Sequence, residues 1–404
     1  MSQAFHLEDD MRIAIVVWGL EGGAFANLST ALAFGFQELG VEVDLISVRP
    51  VSDTARRVRS GLSITTLGCR KSSLAVARLA RYLRDRHPHA VISLSSIINL
   101  LTIASRSLAR SDTRLIITEH SNMSFELPLD HRHNIKMRLV PVFIRLLYPL
   151  ADGIVAPTWD ILNDPAFSRV CQWQHKPHRV IPNPLTWGNW RDAARYEPQD
   201  GIPVHPWLAS NRSHPLIVSI GRLCHQKGFD TLIRSIHLLH DTGVPAHAII
   251  LGEGPLRNDL EELIRQMDLA PFVSMPGFVQ DPRPYLDACD AFVLASRSEG
   301  FGLVLTEAMA LGKPTIATSA AGGPRTLIQD GRNGLLVPVD DVESLAEAIR
   351  KVISDPKLAQ HLGAHAKHSS RLYEPTVIAS QYLDFIYELL SAQNTTQRTE
   401  GAHL

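Results

Sequence analysis

Two glutamates in the stretch RSEGFGLVLTEAMALGKP (297–314) suggest a loop that binds an anion and a sugar together. Glu299 and Glu307 have seven residues between them, with Gly300 and Gly302 at the start of a predicted helix. Glycine lets a backbone approach a ligand closely, and the exposed N–H groups of a helix start bind anions such as a diphosphate. Glu299 in the turn, and Glu307 about one turn inside the helix, could accept hydrogen bonds from sugar hydroxyls. Acidic residues that only offset the helix dipole would give the same pattern.

A second loop supplies cations of the kind that hold phosphates. The stretch GRLCHQKGFD (221–230) places Arg222 and Lys227 between a predicted strand and a predicted helix. Arginine holds a diphosphate through its planar fork, and lysine acts as a point charge. Two solvated surface cations are the alternative. LGEGP (251–255) is a further glycine turn at a strand end, so the three loops together predict a diphosphate-binding edge.

These loops belong to strand–turn–helix repeats. The apolar run RIAIVVW (12–18) precedes a glycine turn and a helix, and the same pattern restarts at HPLIVSIGRL (214–223). We therefore predict an α/β protein with two Rossmann-like, doubly wound domains. Ligands bind beyond the carboxyl ends of such strands, so two facing domains would share one cleft.

The domain boundaries follow from composition shifts. The predicted segments are an N-terminal Rossmann-like domain (11–190), a connector (191–213), a C-terminal Rossmann-like domain (214–374), a helix expected to pack back on the N-terminal domain (375–392), and a disordered tail (393–404).

Bulk composition excludes several classes. The chain has 404 residues, and 45% are apolar, which favours two globular domains. The net charge of −1 gives no indication of nucleic-acid binding. Four cysteines without a CxxC pattern predict neither a zinc site nor a disulfide framework. The polar, acidic start is no signal peptide, and no apolar run reaches about 18 residues, so we expect a cytoplasmic protein.

In order and spacing, these stretches resemble the retaining GT-B glycosyltransferases of family 4, also called the glycosyl transferases group 1, of the bacterial surface-polysaccharide type. The resemblance also uses GFV (277–279), GGP (322–324) and DGRNGLLVP (330–338). The E-x7-E pair is the family's hallmark. The match covers nearly all of 214–355 and is looser in the N-terminal half, where Gly22-Gly23, TEHS (118–121) and VIPNPL (180–185) fit.

The resemblance implies that domain 11–190 lies on the acceptor side and that domain 214–374 binds the nucleotide-sugar. It also implies roles for particular residues. Arg222 and Lys227 would hold the donor's phosphates, Glu299 would contact the transferred sugar, and Glu307 would bind the nucleotide ribose. His120 would lie near the reacting carbon, although a packed strand-end histidine is the alternative. The implied catalytic set is His120, Glu299, Arg222 and Lys227. The implied donor-binding set is Gly22, Gly23, Gly221, Gly254, Phe278, Val279, Gly300, Phe301, Gly302, Leu303, Val304 and Glu307.

Two departures from common patterns bear on mechanism. Thr326 stands where the family usually has a carboxylate after the glycine pair, which puts local sugar or loop contacts in doubt. The chain has no Asp-x-Asp, the pair that commonly holds Mg²⁺ or Mn²⁺ in metal-dependent glycosyltransferases. We therefore expect metal-independent transfer without a cofactor, with the positive charge supplied by side chains and a helix start.

The expected function is transfer of a sugar from a nucleotide-sugar, with UDP favoured by family frequency. The acceptor would be a glycan or a polyprenyl-linked sugar in lipopolysaccharide or exopolysaccharide synthesis. Residues 56–86 hold nine Lys or Arg and one acid, and IKMRLVPVFIRLLYPL (135–150) is apolar and basic. Both would suit peripheral contact with the inner membrane leaflet. A solvated basic helix and a core helix are the alternatives.

Other functions stay open. A non-hydrolysing UDP-sugar 2-epimerase would also use two Rossmann-like domains, although the E-x7-E match disfavours it. A non-catalytic nucleotide-sugar-binding protein is disfavoured by the intact charged residues. A dinucleotide oxidoreductase is weaker still, because GLEGGA (19–24) lacks a full GxGxxG.

Overall fold

The computed structural model describes residues 11–69, 71–125, 139–171, 173–186, 205–209 and 212–401, with side chains described except at residues 58 and 393–401. The packing divides the chain into unit 1, Met1–Gly188 with Tyr373–Leu404, and unit 2, Asn189–Leu372. The predicted connector (191–213) thus falls within unit 2, and most of it lies outside the described residues.

Unit 1 contains a parallel sheet of seven strands in its described part, in the order β3-β2-β1-β4-β5-β6-β7. The strands are β1 (Arg12–Val17), β2 (Glu42–Ser47), β3 (Ser63–Thr66), β4 (Ala90–Leu94), β5 (Arg114–Thr118), β6 (Gly153–Ala156) and β7 (His178–Val180). The central strands read as unbroken apolar runs because helices cover both faces of the sheet.

The helices of unit 1 follow the strands in crossover connections. In its described part up to residue 186 they are α1 (Ala24–Glu38), α2 (Asp53–Val58), α3 (Ser72–Arg86), α4 (Ser96–Ala109), α5 (Val140–Leu147), α6 (Trp159–Leu162) and α7 (Pro165–Cys171), with single 3-10 turns at Tyr148–Leu150 and Trp173–His175. Helices α3, α4 and α5 share one apolar core on one face of the sheet, and α1 lies in the core of the other face.

Unit 2 repeats the design with six parallel strands in its described part, in the order β10-β9-β8-β11-β12-β13. The strands are β8 (Leu216–Ile220), β9 (His247–Leu251), β10 (Val273–Gly277), β11 (Ala291–Leu294), β12 (Thr315–Thr318) and β13 (Leu335–Val337). The helices are α8 (Phe229–Asp241), α9 (Arg257–Gln266), α10 (Arg283–Ala288), α11 (Leu303–Ala310), α12 (Gly323–Leu327), α13 (Val342–Ser354) and α14 (Pro356–Ser370).

Both sheets reverse their strand order at one point, between β1 and β4 in unit 1 and between β8 and β11 in unit 2. Crossover helices leave opposite faces at such a point and open a crevice beyond the strand ends, where ligands bind in this architecture. The predicted loops of unit 2 follow β8, β9 and β11, so the fold places them around this crevice.

The last helix, α15 (Pro375–Gly401), belongs to unit 1. It packs on α1, and its apolar residues, among them Ile378, Phe385 and Ile386, complete the core that covers Ile13 and Phe36. We predicted a disordered tail from residue 393, but the helix continues to Gly401; residues 402–404 lie outside the described residues.

An aromatic group with four histidines lies where β8 and β9 begin, at the opposite end of the strands from the glycine turns. We call it the histidine cluster: His205, His214, His240 and His247. The indole of Trp207 stacks on His247 with centroids 4.1 Å apart. Burial, followed by the charges of the other three histidines and of Arg212, lowers the pKa of His247. Burial also lowers the pKa of His205.

Candidate functional site

The loop that follows β8 is held against the end of β11. After Gly221 and Arg222 the chain makes a single 3-10 turn (His225–Lys227) and reaches Gly228 with φ 61°. A Cβ on Gly228 would lie 2.0 Å from the carbonyl oxygen of Ala295. Only glycine therefore allows this approach, which brings the cationic loop beside the glutamate loop.

Lys227 and Glu299 form an ion pair in this crevice. Lys227 Nζ donates to Glu299 Oε1 at 2.5 Å and to Oε2 at 3.0 Å. The two side chains are only 17% and 7% exposed. The lysine methylenes lie over Gly221, where a Cβ would come within 3.1 Å of them. The structure thus brings together two predicted residues that are far apart in sequence.

Arg297 fastens the two loops together, and sequence reasoning missed it. Its guanidinium donates to both carboxylate oxygens of Asp230 at 2.9 and 2.7 Å and to the carbonyl oxygen of His225 at 2.8 Å. Nε lies 2.7 Å from Asp340. Burial alone would raise the pKa of Asp230, but hydrogen bonds and charge from Arg297 outweigh it and lower that pKa. In the sequence, Arg297 is a cation in the glutamate stretch (297–314) and Asp230 is an acid in the cationic stretch (221–230). Nothing in the sequence shows that the two residues form a pair.

The glutamate loop rests on a second glycine pair. A Cβ on Gly322 would lie 1.8 Å from the carbonyl oxygen of Glu299, and one on Gly323 would lie 1.4 Å from that of Phe301. The predicted GGP segment therefore packs directly beneath residues 299–301. Gly302, with φ 87°, then begins α11 without a side-chain cap, so the first N–H groups of α11 are available to an anion.

The remaining predicted residues of unit 2 lie on the same carboxyl-end side of the sheet. A Cβ on Gly254 would clash with the Leu223 carbonyl oxygen at 2.3 Å, so the LGEGP turn packs on the cationic loop. Glu307 is 6% exposed within α11. Gly300, Leu303, Val304 and Val279 are partly buried, and Phe301 is buried.

Two predicted side chains point to solvent. Arg222 is exposed and has no ion-pair partner among the residues that the structure describes. Phe278 is 73% exposed directly after β10. Thr326, at the position of the expected carboxylate, is also exposed, and its hydroxyl donates to the carbonyl oxygen of Gly322 at 3.3 Å.

In unit 1, the glycine turn after β1 adjoins the end of β5. Gly22 and Gly23 have φ values of 127° and 87°, and a Cβ on either would meet nothing within 4 Å. Phe25, in the first turn of α1, contacts the His120 ring edge-on with centroids 5.3 Å apart. Burial lowers the pKa of His120 to about 4, so its imidazole is neutral at pH 7.

No group of three or more His, Cys, Asp or Glu among the described residues could hold a metal ion. No helix in the described part of the chain has the length and apolar character needed to cross a bilayer.

Two family models match the chain. The model described as glycosyl transferases group 1 matches residues 205–369, and the one described as a glycosyl transferase 4-like domain matches residues 26–184. The two matches fall on unit 2 and unit 1 respectively.

Curated relatives come from bacterial glycan synthesis. The lipopolysaccharide core biosynthesis glycosyltransferase LpsE of Rhizobium meliloti is 36% identical over 37% of this chain, and the alignment spans 42% of LpsE. The N-acetylgalactosamine-N,N'-diacetylbacillosaminyl-diphospho-undecaprenol 4-alpha-N-acetylgalactosaminyltransferase of Campylobacter jejuni is 33% identical over 71% of this chain and 73% of its own length.

Solved structures share the fold across both units. Sucrose-phosphate synthase from Thermosynechococcus elongatus has a TM-score of 0.72 at 19% identity, covering 95% of this chain and 100% of that one. The HepE protein of Anabaena in complex with UDP has a TM-score of 0.69 at 20% identity, covering 94% and 100%. The predicted GT-B class, with two doubly wound α/β units, is confirmed.

Proposed function

Because the chain belongs to the family of the glycosyl transferases group 1, we propose that it transfers a sugar from a nucleotide-sugar to a glycan or lipid-linked acceptor in bacterial surface-polysaccharide synthesis. The observation that carries this proposal is the buried Lys227–Glu299 pair, enclosed by glycine turns too tight for any side chain. Family membership favours sugar transfer over the epimerase and oxidoreductase alternatives.

The donor's diphosphate fits beside this pair. Lys227, the exposed guanidinium of Arg222 and the uncapped start of α11 would together surround two negatively charged phosphates. When the bond from the anomeric carbon to phosphate breaks, negative charge grows on the leaving diphosphate. Groups already fixed in place stabilise that charge without reorganising. Glu299 then faces the transferred sugar, and Glu307 the ribose.

Retention of anomeric configuration and metal independence are part of the proposal. The acceptor hydroxyl would attack from the face that the diphosphate leaves, with the departing phosphate receiving its proton. No covalent nucleophile is assigned. Lys227, Arg222 and the start of α11 supply the positive charge that a divalent ion supplies in metal-dependent transferases.

UDP is the proposed nucleotide, and a polyprenyl-diphosphate-linked sugar is the proposed lipid acceptor. The HepE structure contains UDP, and the Campylobacter relative's name specifies a diphospho-undecaprenol acceptor. The chain aligns with 42% of LpsE and 73% of the Campylobacter transferase.

We place peripheral contact with the cytoplasmic leaflet on helix α5 and its neighbouring turns. Five large apolar side chains there are 47–64% exposed: Leu139, Val142, Phe143, Leu146 and Leu150. Arg145 is exposed on the same helix, and α3 carries exposed arginines on the same side of the sheet. Exposed apolar side chains beside a cation such as Arg145 fit an anionic bilayer surface. Arg70 and residues 135–138 of the predicted membrane-binding stretches lie outside the described residues.

The proposal is tested by screening UDP- and GDP-sugars for stabilisation of the protein, and then for product with lipid-linked acceptors. Formation of an α-linked product from an α-linked donor in the presence of EDTA is expected. A strict requirement for Mn²⁺, or an inverted product, would overturn the mechanism. Flotation with vesicles of phosphatidylglycerol and phosphatidylcholine tests the membrane contact, which Leu146→Ser should weaken.

A further inference from the structure

A buried polar network lies directly beneath His120 at the ends of β4 and β5. Its centre is Glu119, whose side chain is 1% exposed. Glu119 accepts hydrogen bonds from Ser96 Oγ at 2.9 and 3.0 Å and from Tyr148 OH at 3.0 Å. It also accepts one from the main-chain N–H of His120 at 3.2 Å. A carboxylate removed from water needs such donors, and one of them is the backbone of the predicted catalytic residue.

The network is continuous with Thr118, the residue on the other side of Glu119. Asn99 Nδ2 donates to Tyr148 OH at 3.0 Å and to the Thr118 carbonyl oxygen at 2.8 Å. Ser93 Oγ donates to Asn99 Oδ1 at 2.6 Å. Because buried polar groups linked in this way polarise one another and fix each other's positions, the strand end carrying His120 is held from several sides.

Thr118 also determines which nitrogen of His120 carries the proton. Its hydroxyl donates to the carbonyl oxygen of Ser93 at 2.9 Å, which uses its only proton. The hydroxyl oxygen lies 2.8 Å from His120 Nε2, so that ring nitrogen must be the donor in this contact. The opposite tautomer would sacrifice one of the two hydrogen bonds.

This arrangement leaves Nδ1 of His120 unprotonated. Nδ1 is enclosed and has no hydrogen-bond partner among the described residues. A buried acceptor left unsatisfied costs free energy, so the contacts on the Nε2 side of the ring hold His120 in this orientation against that cost.

We infer that Thr118 and Glu119 are positioning residues that preset His120, the first by fixing its tautomer and the second by fixing its main chain. His120 is thereby held as a neutral ring with its proton on Nε2, in a fixed orientation at the end of β5. The inference rests on the proposed function for the reaction, but the state of the ring is a property of the protein alone.

The test combines ¹⁵N NMR of histidine side chains with kinetics. The signal of His120 is identified by its absence in His120→Gln. In the wild type it should show protonated Nε2 and unprotonated Nδ1, unchanged between pH 5.5 and 8. Thr118→Val removes the acceptor but keeps the shape, and should give a mixture of tautomers. The matched control is Thr102→Val on α4, which loses a buried hydroxyl that donates only to the Ile98 carbonyl oxygen.

Kinetics separate positioning from mere stability. Thr118→Val and Glu119→Gln should each lower kcat by about tenfold to a hundredfold, as small misplacements of a reacting group do, with donor KM within twofold of wild type. Glu119→Gln should keep the wild-type tautomer. The inference is overturned if the wild-type ring carries its proton on Nδ1, or if Thr118→Val and Thr102→Val lower kcat equally. Absence of any sugar transfer would instead refute the proposed function and leave the NMR result standing.

Discussion

Replacing Lys227 by methionine removes the ammonium group that donates hydrogen bonds to the Glu299 carboxylate. The substitution keeps most of the length of the side chain. Removing one partner of a buried ion pair costs about 3–5 kcal/mol. The two side chains are 17% and 7% exposed, so water screens part of this cost and we expect about 2–3 kcal/mol. For a unit the size of Asn189–Leu372, this loss lowers Tm by about 4–12 °C.

The same substitution should lower kcat by about 10²–10³-fold, because it removes a charge aimed at the leaving diphosphate. The double variant Lys227→Met/Glu299→Gln separates the two effects. It carries no unpaired buried charge, so it should regain most of the lost stability through the coupling of the pair. It should nevertheless stay as inactive as the single variant.

The assays are thermal unfolding followed by circular dichroism and initial rates of nucleoside diphosphate release. Arg350→Met is the matched control, because it breaks an exposed pair with Glu347 whose side chains are 46% and 43% exposed. That pair should contribute less than about 1 kcal/mol. A Lys227→Met protein with wild-type Tm and wild-type rate would refute the reasoning. So would a double variant no more stable than the single one.

Three further predictions concern other parts of the molecule. Gly323→Ala should distort the glutamate loop, because its Cβ would lie 1.4 Å from the Phe301 carbonyl oxygen, and calorimetry should then detect no donor binding. The control is Gly19→Ala, whose Cβ would meet its nearest atom at 3.7 Å and which should bind the donor normally. Tm should fall as pH drops below about 6.5, the unfolded pKa of histidine, because the folded pKa values of His247, His205 and His120 are lowered. His247→Gln should make this fall shallower, and an unchanged slope would contradict the share assigned to His247. Glu307→Gln should raise donor KM more than it lowers kcat, and an unaltered KM would argue against ribose contact.

The strand–turn–helix repeats were predictable because parallel strands covered on both faces must be continuous apolar runs. The glycine turns at 221, 254 and 302 also follow from sequence, since strand ends in such sheets are where a backbone comes close to a ligand. Two successive runs of these repeats predicted two doubly wound α/β domains, whereas the GT-B class, now confirmed, was implied by the motif resemblance.

Contacts between distant loops were not predictable in this way. Arg297 pairs with Asp230, and Gly323 lies under Phe301, but no local periodicity links these positions. The network around Glu119 was missed for the same reason, since Tyr148 comes from a turn far along the chain. Sequence patterns indicate which face of an element is buried, whereas partners across loops depend on the assembled fold.

The return of α15 to unit 1 has a consequence for biosynthesis. A ribosome releases residues 12–180 first, yet Ile13 and Phe36 obtain their full apolar cover only from residues 378–389. Unit 2 is one continuous stretch, Asn189–Leu372, so its described part can complete its core while residues 12–180 still lack the cover from α15. Nascent chains that stall before residue 375 should therefore expose an apolar face of the sheet of unit 1 and require chaperones, although most of the protein has already been synthesised.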